Sequence, residues 1–333
     1  MARQGGSFSA LSRGMKHSLW SVVLAAGMGR RLSTLTGGMP KQFWCPAGSM
    51  SLLDQTLSRL APLSSPARTF VVVDDAHRRY VNARPQYREH AQFLFQPMDR
   101  GTATGVLFGL VPVLAADPNA TVVLTPADHG IGDPSTFVEG ISQAVARARS
   151  SGGIVLLGVE PSRPSEDLGW ITLSSESLPG SIRLVNGFVE KPRAAAAREL
   201  LEAGAIWNTM VLVAQVKDLV ALLGAHLPEI ATMFLRAATI PAAERGAFFR
   251  TLYSALPSAD FSRNVLAPAR GLLAYTWPAS MGWSDLGTPE RLGAWLRATF
   301  DGRRGATGGA FERSRRMKLA PYLQIPSVAR QLE

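Results

Sequence analysis

Residues 24–41 read Leu24-Ala-Ala-Gly-Met-Gly-Arg-Arg-Leu-Ser-Thr-Leu-Thr-Gly-Gly-Met-Pro-Lys41. The apolar run 20–25 reads as a strand, and Ala25-Ala26-Gly27-Met28-Gly29-Arg30 as the turn that leaves it. Small residues at 26, 27 and 29 let backbone N–H groups approach a polyanion closely, because no bulky side chain stands in the way. Arg31 and Lys41 then bring two cations to the same anion. A loop that holds a triphosphate requires this.

Two other phosphate loops are excluded. A dinucleotide fingerprint would need a third glycine where Leu32 stands, and an acid roughly 20 positions on. The nearest candidate, Asp54, falls inside the next helical stretch. A Walker A loop needs Gly-Lys followed by Ser or Thr, and no such tripeptide occurs.

Apolar runs and helical patterns alternate through the first half of the chain. Strands are expected at 20–25, 69–73, 93–95 and 121–124, with helices at 51–60, 102–115 and 134–149. This alternation predicts an α/β fold with a Rossmann-like, mostly parallel mixed sheet and helices on both faces. Ligands gather beyond the carboxyl ends of such strands, where the glycine loop and Asp128 both fall. Short strands at 153–159, 170–173 and 182–189 predict a small antiparallel insertion that carries Glu190-Lys191-Pro192. A strand at 207–213 follows one helix, helices are expected at 217–223, 229–238 and 242–256, and a last strand at 272–276.

The net charge is +10. Residues 1–18 carry Arg3, Arg13 and Lys16 with no acid, and 297–333 carry seven arginines and Lys318 against three acids. Only +2 is left for the 278 residues between. The expected organisation is a basic flexible extension over 1–18, one catalytic domain over 19–296 and a basic tail over 297–333. A nucleic-acid binder would carry its charge on the folded body, so that class ranks last. The single Cys45 fits a reducing, cytoplasmic setting. No apolar run reaches the roughly 18 residues of a membrane span, and no apolar leader precedes Trp20. The five histidines show no ligand spacing, so no zinc site is expected.

The pattern G-x-G-x-R followed by Pro-Lys resembles the signature of the sugar-1-phosphate nucleotidyltransferases. Pro40-Lys41-Gln42-Phe43 is similar to the mannose-1-phosphate guanylyltransferase branch. Ala127-Asp128-His129, Gly169-Trp170-Ile171, Phe188-Val189-Glu190-Lys191-Pro192, Trp207-Asn208 and Trp283-Ser284-Asp285-Leu286-Gly287 follow in the matching order. The resemblance covers 20 to about 295. It implies the nucleotide-diphospho-sugar transferase type of sheet and the joining of an NTP, here GTP, to a sugar 1-phosphate with release of pyrophosphate. A homodimer is compatible with it.

Such a reaction needs charge neutralisation and alignment more than a base, since the attacking phosphate is already an anion. Arg31 and Lys41 are the expected catalytic cations. Asp128 suits Mg²⁺ as a hard oxygen ligand, or else caps its turn. By resemblance Asp285 is the second metal ligand; a helix-entry carboxylate is the other reading. Lys191 would meet the sugar phosphate, with Glu190 and Asn208 on sugar hydroxyls and Gly169 admitting the sugar; an exposed Glu-Lys pair is the plainer account. Gln96-Pro97 and Gly101-Thr102 form the expected base edge, and guanine preference rests on resemblance alone.

Three positions depart from the branch. The loop has Ala25-Ala26-Gly27 rather than Ala-Gly-Gly, and Asp167-Leu-Gly-Trp-Ile stands where Gly-Tyr-Gly-Tyr-Ile is usual. Ala259-Asp260-Phe261 with Val265 replaces a Ser-Ile-Asp motif with a later Glu. Another sugar phosphate, another base, and a catalytically silent nucleotide-sugar-binding regulator therefore stand as alternatives.

Overall fold

A computed structural model describes residues 18–301. Strand β1 (Leu19–Leu24) is apolar along nearly its whole length and buried on both faces, the pattern of a central strand in a covered sheet. Around it run β2 (Thr69–Asp74), β3 (Gln92–Gln96), β4 (Thr121–Pro126), β5 (Val155–Val159), β6 (Gly169–Leu178), β7 (Ile182–Glu190), β8 (Ile206–Gln215) and β9 (Leu273–Trp277). They form one nine-stranded sheet in the order β3-β2-β1-β4-β8-β5-β9-β7-β6. Strands β3, β2, β1 and β4 are parallel, as is β5 with β9. The remaining pairings are antiparallel.

The longer helices are α1 (Leu52–Leu60), α2 (Thr102–Ala116), α3 (Pro134–Ser151), α4 (Ala194–Glu202), α5 (Val216–His226), α6 (Pro228–Thr239), α7 (Ala242–Ala255) and α8 (Pro289–Asp301). Alternate residues of the central strands face opposite layers. Val22, Val72 and Val122 pack in one core with residues of α2, α5, α6 and α7. Val23, Val71 and Val123 pack in the other with residues of α1 and α3. A third, small cluster joins Trp44 and Leu52 to Leu286, Leu292 and Trp295, and so ties α8 to the segment just after Lys41.

Of the three strands expected in an antiparallel insertion, the hairpin β6–β7 forms as expected, whereas 153–159 is β5, inside the main sheet between β8 and β9 and parallel to β9. The hairpin extends the main sheet rather than standing apart, because β7 pairs with β9 and β6 with β8. Helix α8 runs through 297 to Asp301, so the boundary expected at 296 falls inside a helix. The rest of both basic ends, 1–17 and 302–333, lies outside the described residues. Among the described residues no helix is long and apolar enough to cross a membrane.

Beyond β1 the chain moves through β2 and β3 on one side, then returns to β4 on the other. Strand order therefore reverses between β1 and β4, and a crevice opens at their carboxyl ends. Ala127 N–H donates to Leu24 O at 2.9 Å, and Ala25 N–H to Val72 O at 2.8 Å. The glycine loop and Asp128 leave the sheet side by side.

Candidate active site

Gln42 shapes the glycine loop. Its side chain is 2% exposed, and its amide nitrogen donates to the carbonyls of Ala25 at 2.6 Å and Gly27 at 3.1 Å. In a trans peptide the C=O and the following N–H point opposite ways. With these two carbonyls turned inward, the N–H groups of Ala26 and Met28 are turned away from Gln42. A Cβ on Gly27 would meet nothing within 4 Å, so that side is open. Gly29 has φ +61°, and a Cβ there would sit 3.0 Å from both Cβ and N of Lys41. Only glycine takes that turn so close to the lysine without strain.

Lys41 opens a single 3₁₀ turn, Lys41–Phe43, behind Pro40. It is 6% exposed. Its ammonium lies 2.5 Å from Asp285 O, 3.3 Å from Leu286 O and 3.0 Å from Asp128 Oδ2. An ammonium has three donors, and all three are used. The sequence suggested a lysine reaching for a phosphate; in the structure its ammonium ties together the Asp128 and Asp285 turns. Arg31 is exposed, and its Nη2 lies 2.9 Å from where a Cβ on Gly287 would begin, with Asp285 Oδ2 against the same point. Arg31 therefore reaches the mouth of this cluster from the loop side.

Burial presses the Asp128 carboxyl toward neutrality, but the Lys41 ammonium outweighs it and holds the pKa below the usual range. Asp285 follows the same logic, with Arg291 as the main opposing charge. Arg291 Nη1 donates to Asp285 Oδ2 at 2.7 Å, while its Nη2 donates to Asp167 Oδ2 at 2.6 Å. Gly287 N–H occupies Asp285 Oδ1 at 3.2 Å. The two carboxylates lie near enough that Asp285 tends to raise the pKa of Asp128. Two ionised oxygen donors beside an open phosphate loop fit Mg²⁺, which takes one or two protein carboxylates and fills its sphere with water and substrate oxygens. Among the described residues no group of three or more His, Cys, Asp and Glu could hold a metal by itself.

His129 packs edge-on against Trp283, whose indole Nε1 donates to His129 Nδ1 at 3.2 Å. An indole only donates, so Nδ1 accepts and the neutral ring carries its proton on Nε2. Burial lowers the pKa of His129 to about 4, which keeps it uncharged at neutral pH. At 3.9 Å from Asp128 Oδ1, its Nε2 is beyond hydrogen-bond length.

The expected sugar residues come together on β6, β7 and β8. A Cβ on Gly169 would lie 2.7 Å from Glu190 Oε2 and 3.4 Å from Asn208 Cβ, so the glycine keeps open the space these two side chains border. Asn208 is buried and its Oδ1 accepts from Met210 N–H at 3.1 Å. Lys191 follows β7 with φ +50°; its N–H donates to Leu168 O at 3.3 Å and its ammonium to Glu190 Oε1 at 2.7 Å.

The residues of the expected base edge are mostly packed against the protein. Gln96 is 2% exposed at the end of β3, and its Oε1 has no partner among the described residues. Pro97 is half-buried. Gly101 has φ +84°, and a Cβ there would collide with the Ala259 carbonyl. Thr102 Oγ1 accepts from Phe261 N–H at 2.8 Å. Gly101 and Thr102 thus hold the 259–261 segment in place, which occupies one side of their backbone.

Sequence reading quoted Gln42 only within a motif and missed Arg291 altogether. Gln42 stands beside the decisive lysine, and that adjacency was its one signal. Arg291 had none, because a single arginine on an ordinary helix matches no pattern.

A glycine loop at the switch point, a buried lysine between two acids, and Gly169, Glu190 and Asn208 side by side on neighbouring strands make up the candidate site of an α/β sheet protein. The profile of the Nucleotidyl transferase family matches residues 20–299, and the chain belongs to that family. Alginate biosynthesis protein AlgA of Pseudomonas fluorescens is 30% identical over 273 residues, which cover 80% of this chain and 56% of that protein. Mannose-1-phosphate guanylyltransferase of Salmonella montevideo is 30% identical over 197 residues, 56% of this chain and 41% of that one. The chain spans about half the length of the curated relatives it matches. A solved structure described as mannose-1-phosphate geranyltransferase from Thermus thermophilus superposes with a TM-score of 0.75 at 28% identity, covering 84% of this chain and 79% of that one. A UDP-glucose pyrophosphorylase from Acinetobacter shares the fold, with a TM-score of 0.55 at 14% identity over 92% of this chain and all of that one.

Proposed function

We propose that this chain joins GTP to mannose 1-phosphate, forming GDP-mannose and releasing pyrophosphate. The observation that carries the reading is the convergence of Lys41, Asp128 and Asp285 beside the glycine loop, at the carboxyl ends of β1 and β4. The guanylyltransferase relative and the Thermus neighbour named for mannose 1-phosphate support the substrate pair.

In this reading the outward N–H groups of the loop, with Arg30 and Arg31, receive the triphosphate. An oxygen of the sugar 1-phosphate attacks the α-phosphorus in line; the new P–O bond forms as the bond to pyrophosphate breaks. Lys191 steadies the attacking phosphate, while Glu190 and Asn208 hold sugar hydroxyls in the space kept by Gly169. Lys41 keeps the Asp128 and Asp285 turns at fixed separation, so alignment is in place before substrates arrive. Asp128 and Asp285 would hold Mg²⁺, which when bound neutralises phosphate charge. His129, neutral and closed off by Trp283, moves no proton. Gln96, through its unpartnered Oε1, is the side chain we assign to the base, alongside Pro97, Gly101 and Thr102. The lone Cys45 accords with work in a reducing cytoplasm.

The test is pyrophosphate release with Mg²⁺, crossing GTP, ATP, UTP, CTP and dTTP against mannose, glucose and related sugar 1-phosphates. Turnover with GTP and mannose 1-phosphate, falling off for other pairs, is the expected result. Preference for another pair would move the substrate and keep the chemistry. Silence with every pair, with nucleotide still bound, would make the chain a regulatory binder and overturn the proposal.

A further inference from the structure

Arg291 and Asp167 have no place in the reaction as described, yet their geometry is that of a clamp. Arg291 projects from the first turn of α8, its side chain 10% exposed. Its guanidinium forks between two carboxylates on different loops, Asp285 at 2.7 Å and Asp167 at 2.6 Å. A planar guanidinium suits two such acceptors at once, which a lysine ammonium cannot match in fixed geometry. Asp285 belongs to the acid cluster around Lys41. Asp167 precedes Leu168 and Gly169, on the sugar side; Leu168 O accepts from Lys191 N–H at 3.3 Å. A continuous path of contacts therefore runs from Asp285 through Arg291, Asp167 and Leu168 to Lys191.

We propose that Arg291 is a positioning residue that sets the sugar-phosphate subsite against the acid cluster, with Asp167 as the partner that transmits its hold. This rests on the transferase reading above. Arg291 touches neither substrate in this account; it acts by fixing where the Leu168–Gly169 backbone, and with it Lys191, stands relative to Asp285. Side-chain exposure separates the two members: Asp167 is 53% exposed, so its neutral replacement removes the clamp's outer half with little cost to the fold.

The experiment compares Asp167→Asn, Arg291→Gln, Arg291→Lys and the Asp167→Asn/Arg291→Gln double variant in the full chain. Mannose 1-phosphate KM and kcat are taken from pyrophosphate release, GTP affinity from calorimetry without sugar phosphate, and folding from thermal melts. Asp167→Asn should raise the sugar-phosphate KM about threefold, the scale of a half-exposed ion pair, and Arg291→Gln about tenfold, the scale of one hydrogen bond to a charged group. GTP affinity should stay within about twofold in both. The double variant should be no worse than Arg291→Gln alone, since Asp167 acts only through the arginine. Arg291→Lys should fall between wild type and Arg291→Gln. Should Arg291→Gln fail to fold, Asp167→Asn decides alone. A sugar-phosphate KM that Asp167→Asn leaves unchanged, or losses that add in the double variant, would overturn the clamp while leaving wild-type turnover as it was. A wild type silent with every substrate pair would instead sink the transferase reading, and the clamp with it.

Discussion

Lys41 follows the glycine loop and Lys191 follows β7, and the two are held in opposite ways. Lys41 is 6% exposed, and its ammonium is shared among Asp128 and two carbonyls from a loop 244 positions away. Lys191 has a side chain 47% exposed and one ion-pair partner, the neighbouring Glu190. Its strain sits in its own backbone, at φ +50°. The difference separates two tasks for one residue type. On the proposed function, the charge that organises protein groups is desolvated and saturated with acceptors, whereas the charge assigned to a mobile substrate stays in water with donors to spare.

Lys41→Met should therefore produce the largest effect. It leaves Asp128 without its cation and two carbonyls without a donor, a loss on the order of 3 kcal/mol in stability. Turnover should drop by about 10³-fold or more as the acid cluster loses its post. Pyrophosphate release together with a thermal melt checks both at once. A variant with a wild-type melt and lost activity would mean that Lys41 serves substrate alone, and the contrast with Lys191 would collapse.

His129 sharpens the same contrast through pH. Its pKa falls from 6.5 in the unfolded chain to about 4 in the folded one, because burial penalises the imidazolium. Between those values the unfolded chain binds the extra proton, so stability rises with pH there. The contribution, about 3 kcal/mol, is complete above pH 6.5 and is lost as pH falls toward 4. Denaturant melts from pH 4 to 7 should show this slope, and His129→Phe should flatten it. An unchanged slope in the variant would assign the acid sensitivity to Asp128 and Asp285.

Much of the Lys41 side was legible before any coordinates. The strand's end, the glycine turn and the Pro-Lys pair lie within the 18 residues 24–41, and local chemistry at that range leaves a pattern. Strands β1, β2 and β4 were equally plain, because their apolar runs are buried on both faces, and the half-exposed β3 was still legible as a short apolar run. What the chain could not reveal was long-range partnership. Nothing near Lys41 announces that its acceptors include the carbonyls of Asp285 and Leu286, and nothing marks Arg291 as a fork between two loops. Gly101 has a long-range partner of the same kind. It was expected at the base edge, and what the chain did not announce is the Ala259 carbonyl packed against it. The hairpin β6–β7 was read as an insertion because its strands are local in sequence, whereas its edges are completed by β8 and β9.

Gln42→Leu should act more mildly, and on one substrate. Leucine keeps the volume but cannot hold the carbonyls of Ala25 and Gly27, so the loop N–H groups lose their set direction. GTP affinity by calorimetry should weaken about tenfold, the scale of one to two net hydrogen bonds. The sugar-phosphate KM should not move. A shift in both would show that the two sides of the cleft are coupled through the loop.

The smallest effect, and the most discriminating, is expected from Lys191→Gly. Relief of a left-handed backbone at a residue with a Cβ is worth roughly 1 kcal/mol. Extra freedom of glycine in the unfolded chain offsets about 0.5 kcal/mol of that. The lost pair with Glu190 is largely exposed on the lysine side and contributes little. Thermal stability should then hold or rise by a few tenths of a kcal/mol, while the KM for mannose 1-phosphate climbs. Lys41→Met would lose stability and activity together; Lys191→Gly would trade one against the other. A clear drop in the melting temperature of Lys191→Gly would mean that this lysine, too, is a structural post, and that its exposure does not mark a substrate-facing charge.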